Sequence, residues 1–208
     1  MWVLLWVLLV LGSLAVFALL ARSLWRKSVV LGRELAVASE RFGAINDQSA
    51  ADTVRRLIAL DAASSTEPID MLVSSPGGHL ESGDVIHDVL RFIAAPVNMI
   101  GTGWVGSAAT HLYLGVPRAR RYCLPNTRFL IHQPSGGAGG PASDIAIQAR
   151  EIMKARERIA RTIARETGKS LELVQVDIER DRWMSAEEAV EYGLVSRIIE
   201  RKSELGRT

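Results

Sequence analysis

A chain of 208 residues with 25 Lys and Arg against 23 Asp and Glu, a net charge of +2, has room for one domain with a substantial core. That near balance provides no basic face of the kind nucleic-acid binding requires. Cys123 is the only cysteine, which excludes an intrachain disulfide, and no CxxC or close histidine pair marks a structural metal.

The composition is uneven along the chain. Met1–Ala21 carries no charged side chain. As a helix rising about 1.5 Å per residue, it is long enough to cross a hydrocarbon core of about 30 Å. Trp2, Trp6 and Trp25 suit the two interfaces, and Arg22, Arg26 and Lys27 follow at once. This predicts a single N-terminal transmembrane anchor over residues 1–21, a basic linker over 22–33, and a domain on the cytoplasmic side. The competing reading is a cleaved signal peptide, but the segment lacks a basic leading region and its apolar run is longer than such a peptide needs.

Ser28–Asn46 reads as a connector and a first strand, "ELAVASERFGAI". Asp47–Ala63 has helical spacing through Ala50, Val54, Leu57 and Ile58, and "SSTEP" ends it. "IDMLVSS" predicts a buried strand, broken by "PGGHLESG". Asp84–Ala94 returns to helical period, "VNMIGTG" is the next strand, and Ser107 opens a short helix reaching Leu114. "RYCLP" and "TRFLIHQP" are strand-like, and "SGGAGGP" is a loop or extended flap. Ser143 is expected to cap a helix through Ala164, with Gly168 beyond its end. "SAEEAVEYG" carries a capping box, Ser185 with Glu188, and "LVSRIIE" closes as a strand. Strands alternating with helices predict a layered α/β domain with βαβ crossovers.

Three places offer chemistry. Ser107 follows a strand and two glycines, Gly103 and Gly106, and begins a helix. The N–H of Ala108 then has no intrahelical acceptor, and a free N–H beside a nucleophile is half an oxyanion hole. "SSPGGH" offers a second outward N–H. His132, at the end of an apolar strand, has the ring to take a serine proton, given a carboxylate to fix its tautomer. Asp181 lies in a charge run, "IERDRWM", that otherwise reads as a solvated face. Arg118, Arg120 and Arg121 read as a solvated turn, and His79 and His87 with Asp84 and Asp88 as scattered polar residues on a helix face.

Together "SSPGGHLESG", "GWVGSAAT", "RYCLPNTRFLIHQP", "ASDIAIQAREIMKARERI" and "IERDRWMSAEEAVEYGLV" resemble the proteolytic subunit of the Clp protease (ClpP-like) family. The likeness covers about Glu34 to Ile199, within a domain taken as residues 34–200 and followed by a tail, 201–208. It implies a crotonase-like spiral of βαβ units. It also implies a serine endopeptidase with Ser107 as nucleophile, His132 as general base and acid, Asp181 as the orienting carboxylate, and the N–H groups of Gly78 and Ala108 as oxyanion donors. No cofactor or metal is implied. The glycine-rich "PSGGAGGP" matches the family's flap strand and the helix after Ser143 its handle helix, which implies a homo-oligomeric ring acting on peptide or unfolded protein.

Some residues depart from that pattern. Gly106 replaces a usual alanine, and Thr110 and His111 add polarity; His111, one helical turn past Ser107, is a minor rival for the base. The anchor and basic linker occupy the place of the segment with which family members contact an ATPase, which leaves an ATPase partner open. Three other readings compete: a signal-peptide-peptidase-like enzyme with a lysine base, a catalytically silent ring-forming scaffold at the membrane, and a crotonase acting on acyl-CoA. The first is disfavoured because no lysine lies between Lys27 and Lys154. The last would have no use for a serine, histidine and aspartate set.

Overall fold

The computed structural model describes Arg22, residues 44–137 and residues 139–205. The expected anchor, most of the linker and all of the expected first strand but Ala44 and Ile45 lie outside the described residues. Among the described residues no helix is long and apolar enough to cross a membrane.

Helix α1 (Asp47–Ala63) has the predicted bounds, and its start is a capping box. Asn46 Oδ1 accepts from the Ser49 N–H at 2.9 Å while Ser49 Oγ accepts from the Asn46 N–H at 3.0 Å. Strand β1 (Ile69–Ser75) alternates buried with half-buried positions, as a strand with one face on the core should. Helix α2 runs Leu80–Phe92, starting earlier than the expected Asp84. Its first turn contains Gly83 because a Cβ there would stand 3.3 Å from the Ala108 Cβ, so a glycine read as a breaker is a close contact between helices.

Strand β2 (Val97–Gly106) is followed by the short helix α3 (Ala108–Tyr113), a 3₁₀ turn at Arg118–Arg120, and strands β3 (Arg121–Cys123) and β4 (Arg128–Ile131). Helix α4 spans Ala142–Thr167. Ser143 does not cap it: the Pro141 carbonyl already accepts from Asp144 and Ile145, so the helix begins two residues sooner and no side chain caps it. Gly168, in left-handed backbone at φ 78°, closes it as expected. Helix α5 (Leu171–Asp177), capped by Ser170, is absent from the sequence reading; it is short, and only Val174 within it is buried. Then come strand β5 (Arg182–Met184), helix α6 (Ala186–Tyr192) with its predicted Ser185–Glu188 box, and the two-residue strand β6 (Arg197–Ile198).

The sheet has the order β5-β4-β2-β3-β6, with β1 on β2. All pairings are parallel except β4–β5, and β1–α2–β2 and β2–α3–β3 are the expected crossovers. Along β2, β3 pairs with Met99–Gly101 and β4 with Trp104–Gly106. The strand bulges between these halves, where Gly103 takes φ 60°. Met99, Val105, Tyr113, Leu114 and Phe129 are fully buried beneath it. One sequence expectation fails here: Arg121, read as part of a solvated turn, is wholly buried. Its guanidinium donates to the carbonyls of Val116, Leu114 and Glu166 and pairs with the Glu166 carboxylate.

Candidate active site

Strand register brings the three distant residues together. In the parallel β2–β4 pair Gly106 faces Leu130, and the Leu130 carbonyl accepts the Ser107 N–H at 2.9 Å. Ser107 therefore stands beside the end of β4, where His132 follows Ile131. In the antiparallel β4–β5 pair Ile131 faces Arg182, so the next residues outward are His132 and Asp181. Gln133 fastens that end: its N–H donates to the Ile178 carbonyl at 2.6 Å and its side-chain amide to the Glu179 carbonyl at 2.8 Å.

Ser107 is the one non-glycine residue with positive φ among the described residues, at φ 54° and ψ −122°. Such backbone is costly and is found where function holds a side chain on a sharp turn. Its Oγ lies 2.8 Å from His132 Nε2. Asp181 Oδ1 lies 3.4 Å from His132 Nδ1, a long contact, and its carboxylate is largely exposed. The carboxylate is thus on the ring nitrogen opposite the one that meets the serine, which is the sense a triad requires.

Gly77 and Gly78 have φ of 101° and 145°, values that admit glycine. Ile45 bridges Gly78 in parallel sense, donating to the Gly77 carbonyl at 2.7 Å and accepting from the His79 N–H at 2.8 Å. The bridge uses the residues on either side of Gly78, so its own N–H faces away from Ile45. A Cβ on Gly77 would lie 3.0 Å from the Ala108 nitrogen, which puts the loop against the start of α3. Gly78 thus stands with Ser107 and Ala108 on the lining of one cavity. The loop is also held from below: Ser82 Oγ donates to Asp47 Oδ1 at 2.6 Å, and His79 Nδ1 lies 2.9 Å from the Ser82 hydroxyl. A Gly78→Ala variant is expected to lower kcat by about 10² to 10³-fold, because its Cβ would fall 2.3 Å from the Ile45 carbonyl oxygen and push the loop away. Peptide hydrolysis with KM measured separately checks this; full activity would remove Gly78 from the site.

A cavity of about 420 Å³ opens beside Ser107 and His132. Ile131 and the α4 residues Ile147, Ile152 and Ile159 give it an apolar wall, with Glu81, Gln148 and Glu151 also on its lining. It is of the size and character that take a substrate side chain.

The departures noted in the sequence find places here. A Cβ on Gly106 would sit 2.6 Å from the Trp104 indole nitrogen and 3.0 Å from the Pro76 carbonyl oxygen, so glycine lets these neighbours close on the turn. The Thr110 hydroxyl is within 3.0 Å of the Val105 carbonyl and 2.9 Å of the Leu130 carbonyl, which pins α3 to the strand ends. His111, the rival base, turns its Nε2 to Asp84 Oδ1 at 2.8 Å. Lys154, the lysine nearest in sequence, is exposed and pairs with Glu151 at 2.7 Å. Asp84 and His79, which read in the sequence as scattered polar residues on a helix face, are instead held in the Asp84–His111 contact and the Asp47–Ser82–His79 group. Among the described residues no three His, Cys, Asp or Glu side chains are grouped to hold a metal ion.

A strained serine, an imidazole on its hydroxyl and a carboxylate behind the imidazole, on a parallel α/β sheet, define a hydrolase of the serine type. Comparison with known proteins carries this further. A sequence model of the Clp protease family matches residues 34–202. The ATP-dependent Clp protease proteolytic subunit 2 of Gluconobacter oxydans is 58% identical over 166 residues, covering 79% of this chain and 74% of that protein. Proteolytic subunit 3 of Rhizobium etli is 56% identical over 164 residues, covering 79% of this chain and 84% of the other. Among solved structures, a ClpP1 mutant from Listeria monocytogenes matches with a TM-score of 0.74 at 44% identity, over 79% of this chain and 92% of that one. The chain belongs to the Clp protease family, and it is a serine endopeptidase with the ClpP-like α/β fold.

Proposed function

We propose that the protein is a membrane-anchored endopeptidase that cleaves peptide bonds through an acyl-enzyme on Ser107. The observation that carries the reading is the 2.8 Å contact between Ser107 Oγ and His132 Nε2 at a strained turn. Ser107 Oγ attacks the scissile carbonyl while His132 Nε2 takes its proton. Asp181 faces Nδ1 and stabilises the imidazolium. The oxyanion is held by the N–H groups of Gly78 and Ala108, and His132 returns the proton to the leaving amine. Water then releases the acyl group by the same steps in reverse. A fluorophosphonate should label Ser107 of the folded wild-type protein. No adduct on folded protein would favour the catalytically silent scaffold.

The anchor rests on residues 1–21, which have no charged side chain and lead into Arg22, Arg26 and Lys27. The full chain should sediment with membranes and be released by detergent, not by high salt. Protease added outside intact cells should leave the domain whole. Recovery in the soluble fraction would remove the anchor, and digestion from outside would reverse the orientation.

Assembly into a homo-oligomeric ring is part of the same reading. Its support is the first half of α4, which exposes Ile145, Ile147 and Met153, an apolar surface of the kind a second subunit covers. The two curated relatives above are named as subunits of ATP-dependent proteases. An ATPase would deliver unfolded chains to this enzyme too if one docks on the anchored ring, and activity with and without added ATPase decides that.

A further inference from the structure

Helix α3, which begins at the nucleophile, has six residues and is too short to hold its own orientation. Side chains orient it instead. Thr110 ties one side to the strand ends. On the other side His111, 6% exposed, stacks on the His87 ring with centroids 4.7 Å apart and 12° between planes. Its Nε2 meets Asp84 Oδ1 on α2 at 2.8 Å. The second carboxylate oxygen, Asp84 Oδ2, pairs with the guanidinium of Arg158 on α4. That helix supplies the isoleucine wall of the cavity. One carboxylate thus accepts from the nucleophile helix on one oxygen and from the pocket-wall helix on the other.

This link costs something to keep. With the Nε2 proton donated to Asp84, the His111 Nδ1 is a buried acceptor without a partner, as is His87 Nε2. Two apolar rings would fill the same space with no orphaned nitrogen. Burial alone would raise the Asp84 carboxyl, yet the His111 hydrogen bond and the charge of Arg158 hold it below its usual range. Asp84 is therefore a carboxylate in the folded protein, able to bind both partners.

We propose that Arg158, Asp84 and His111 form a positioning relay. The seating of α4 against α2 would set the orientation of His111, and through α3 that of Ser107 Oγ and the Ala108 N–H. The inference rests on the peptidase reading above. None of the three touches the scissile bond in that reading, so each acts through Ser107. A displacement of about 1 Å at a reacting atom is enough to cost about 10²-fold in rate, so a loosened relay should show in kcat.

The test is a double-mutant cycle on the full chain in detergent. It follows hydrolysis of a fluorogenic peptide and the rate of fluorophosphonate labelling. Arg158→Gln should lower kcat about threefold and His111→Phe about tenfold, with KM within about twofold and labelling slowed in parallel. The double variant should be no slower than His111→Phe, and Arg158→Lys should restore most of the rate. Arg158 is half-exposed, so the thermal midpoint of Arg158→Gln should stay at the wild-type value. Should His111→Phe not fold, Asp84→Asn takes its place in the cycle with the same expectation. Wild-type kcat in Arg158→Gln, or losses that multiply in the double variant, would overturn the relay while leaving the peptidase intact. A folded wild type that neither hydrolyses nor labels overturns both.

Discussion

Ser107→Ala should reduce peptide hydrolysis by about 10⁶-fold, to the limit of detection, with KM and oligomeric size unchanged. The catalytic residues act as a unit. The side chain removed is the nucleophile itself, and His132 then has no proton to take. What survives is whatever polarisation the Gly78 and Ala108 N–H groups give a bound carbonyl, so the residual rate should exceed the uncatalysed rate by only about 10³ to 10⁴. Non-additivity sharpens the test: Ser107→Ala combined with His132→Ala should be no slower than Ser107→Ala alone. The fold should survive the substitution, since a methyl group replaces the hydroxyl and the Ser107 N–H keeps its bond to the Leu130 carbonyl. Alanine does inherit the positive φ, so a loss of stability on the order of 1 kcal/mol is expected from a turn no longer compensated by the Oγ–Nε2 bond. Turnover retained by the folded variant would end the proposal that Ser107 is the nucleophile.

How much of this was legible in the chain differs residue by residue. Local signals worked where structure is local: the Asp47–Ala63 helix, the Ile69–Ser75 strand and the Ser185–Glu188 box follow from periodicity and capping chemistry. They failed where a neighbour distant in sequence decides. Gly83 reads as a breaker until Ala108 is seen against it, and Ser143 reads as a cap until the Pro141 carbonyl takes the first helical N–H groups. The meeting of His132 with Asp181 is a matter of strand register, set where Ile131 pairs with Arg182. Nothing in "ERDR" alone carries that, which is why the sequence reading needed the family resemblance to choose Asp181 from a charge run. Asp84 shows the reverse error. A surface-type residue on an amphipathic helix binds two other elements at once, and only the packing of α2 against α3 and α4 reveals it.

Arg121→Met should lower folding stability by about 3–5 kcal/mol, the largest structural effect expected for a single side chain here. The "RARR" stretch looks like a basic turn, but β3 carries the last arginine inward to where two helices end. Its guanidinium meets the Leu114 carbonyl at the C-cap of α3 and the Glu166 carbonyl in the last turn of α4. Those are terminal carbonyls with no intrahelical donor and the negative ends of two helix dipoles, so a buried cation there answers a backbone need as well as a charge. Methionine fills the volume and leaves the carbonyls of Leu114, Val116 and Glu166 without that donor. It also leaves the Glu166 carboxylate with only the exposed-side arginines, Arg91 and Arg165. Burial would raise the Glu166 carboxyl, but hydrogen bonds from Arg165 and Arg121 outweigh it and hold it below 4.5. A carboxyl depressed in the folded state stabilises fully above its unfolded value and loses that contribution as pH falls through the folded one. The gap between wild type and Arg121→Met in denaturant unfolding should therefore be widest near neutral pH and narrow below about pH 4.5. A gap that stays constant to low pH would assign the loss to the orphaned carbonyls alone. A loss under about 1 kcal/mol at neutral pH would show that neither the ion pair nor the helix-end bonds matter to the fold.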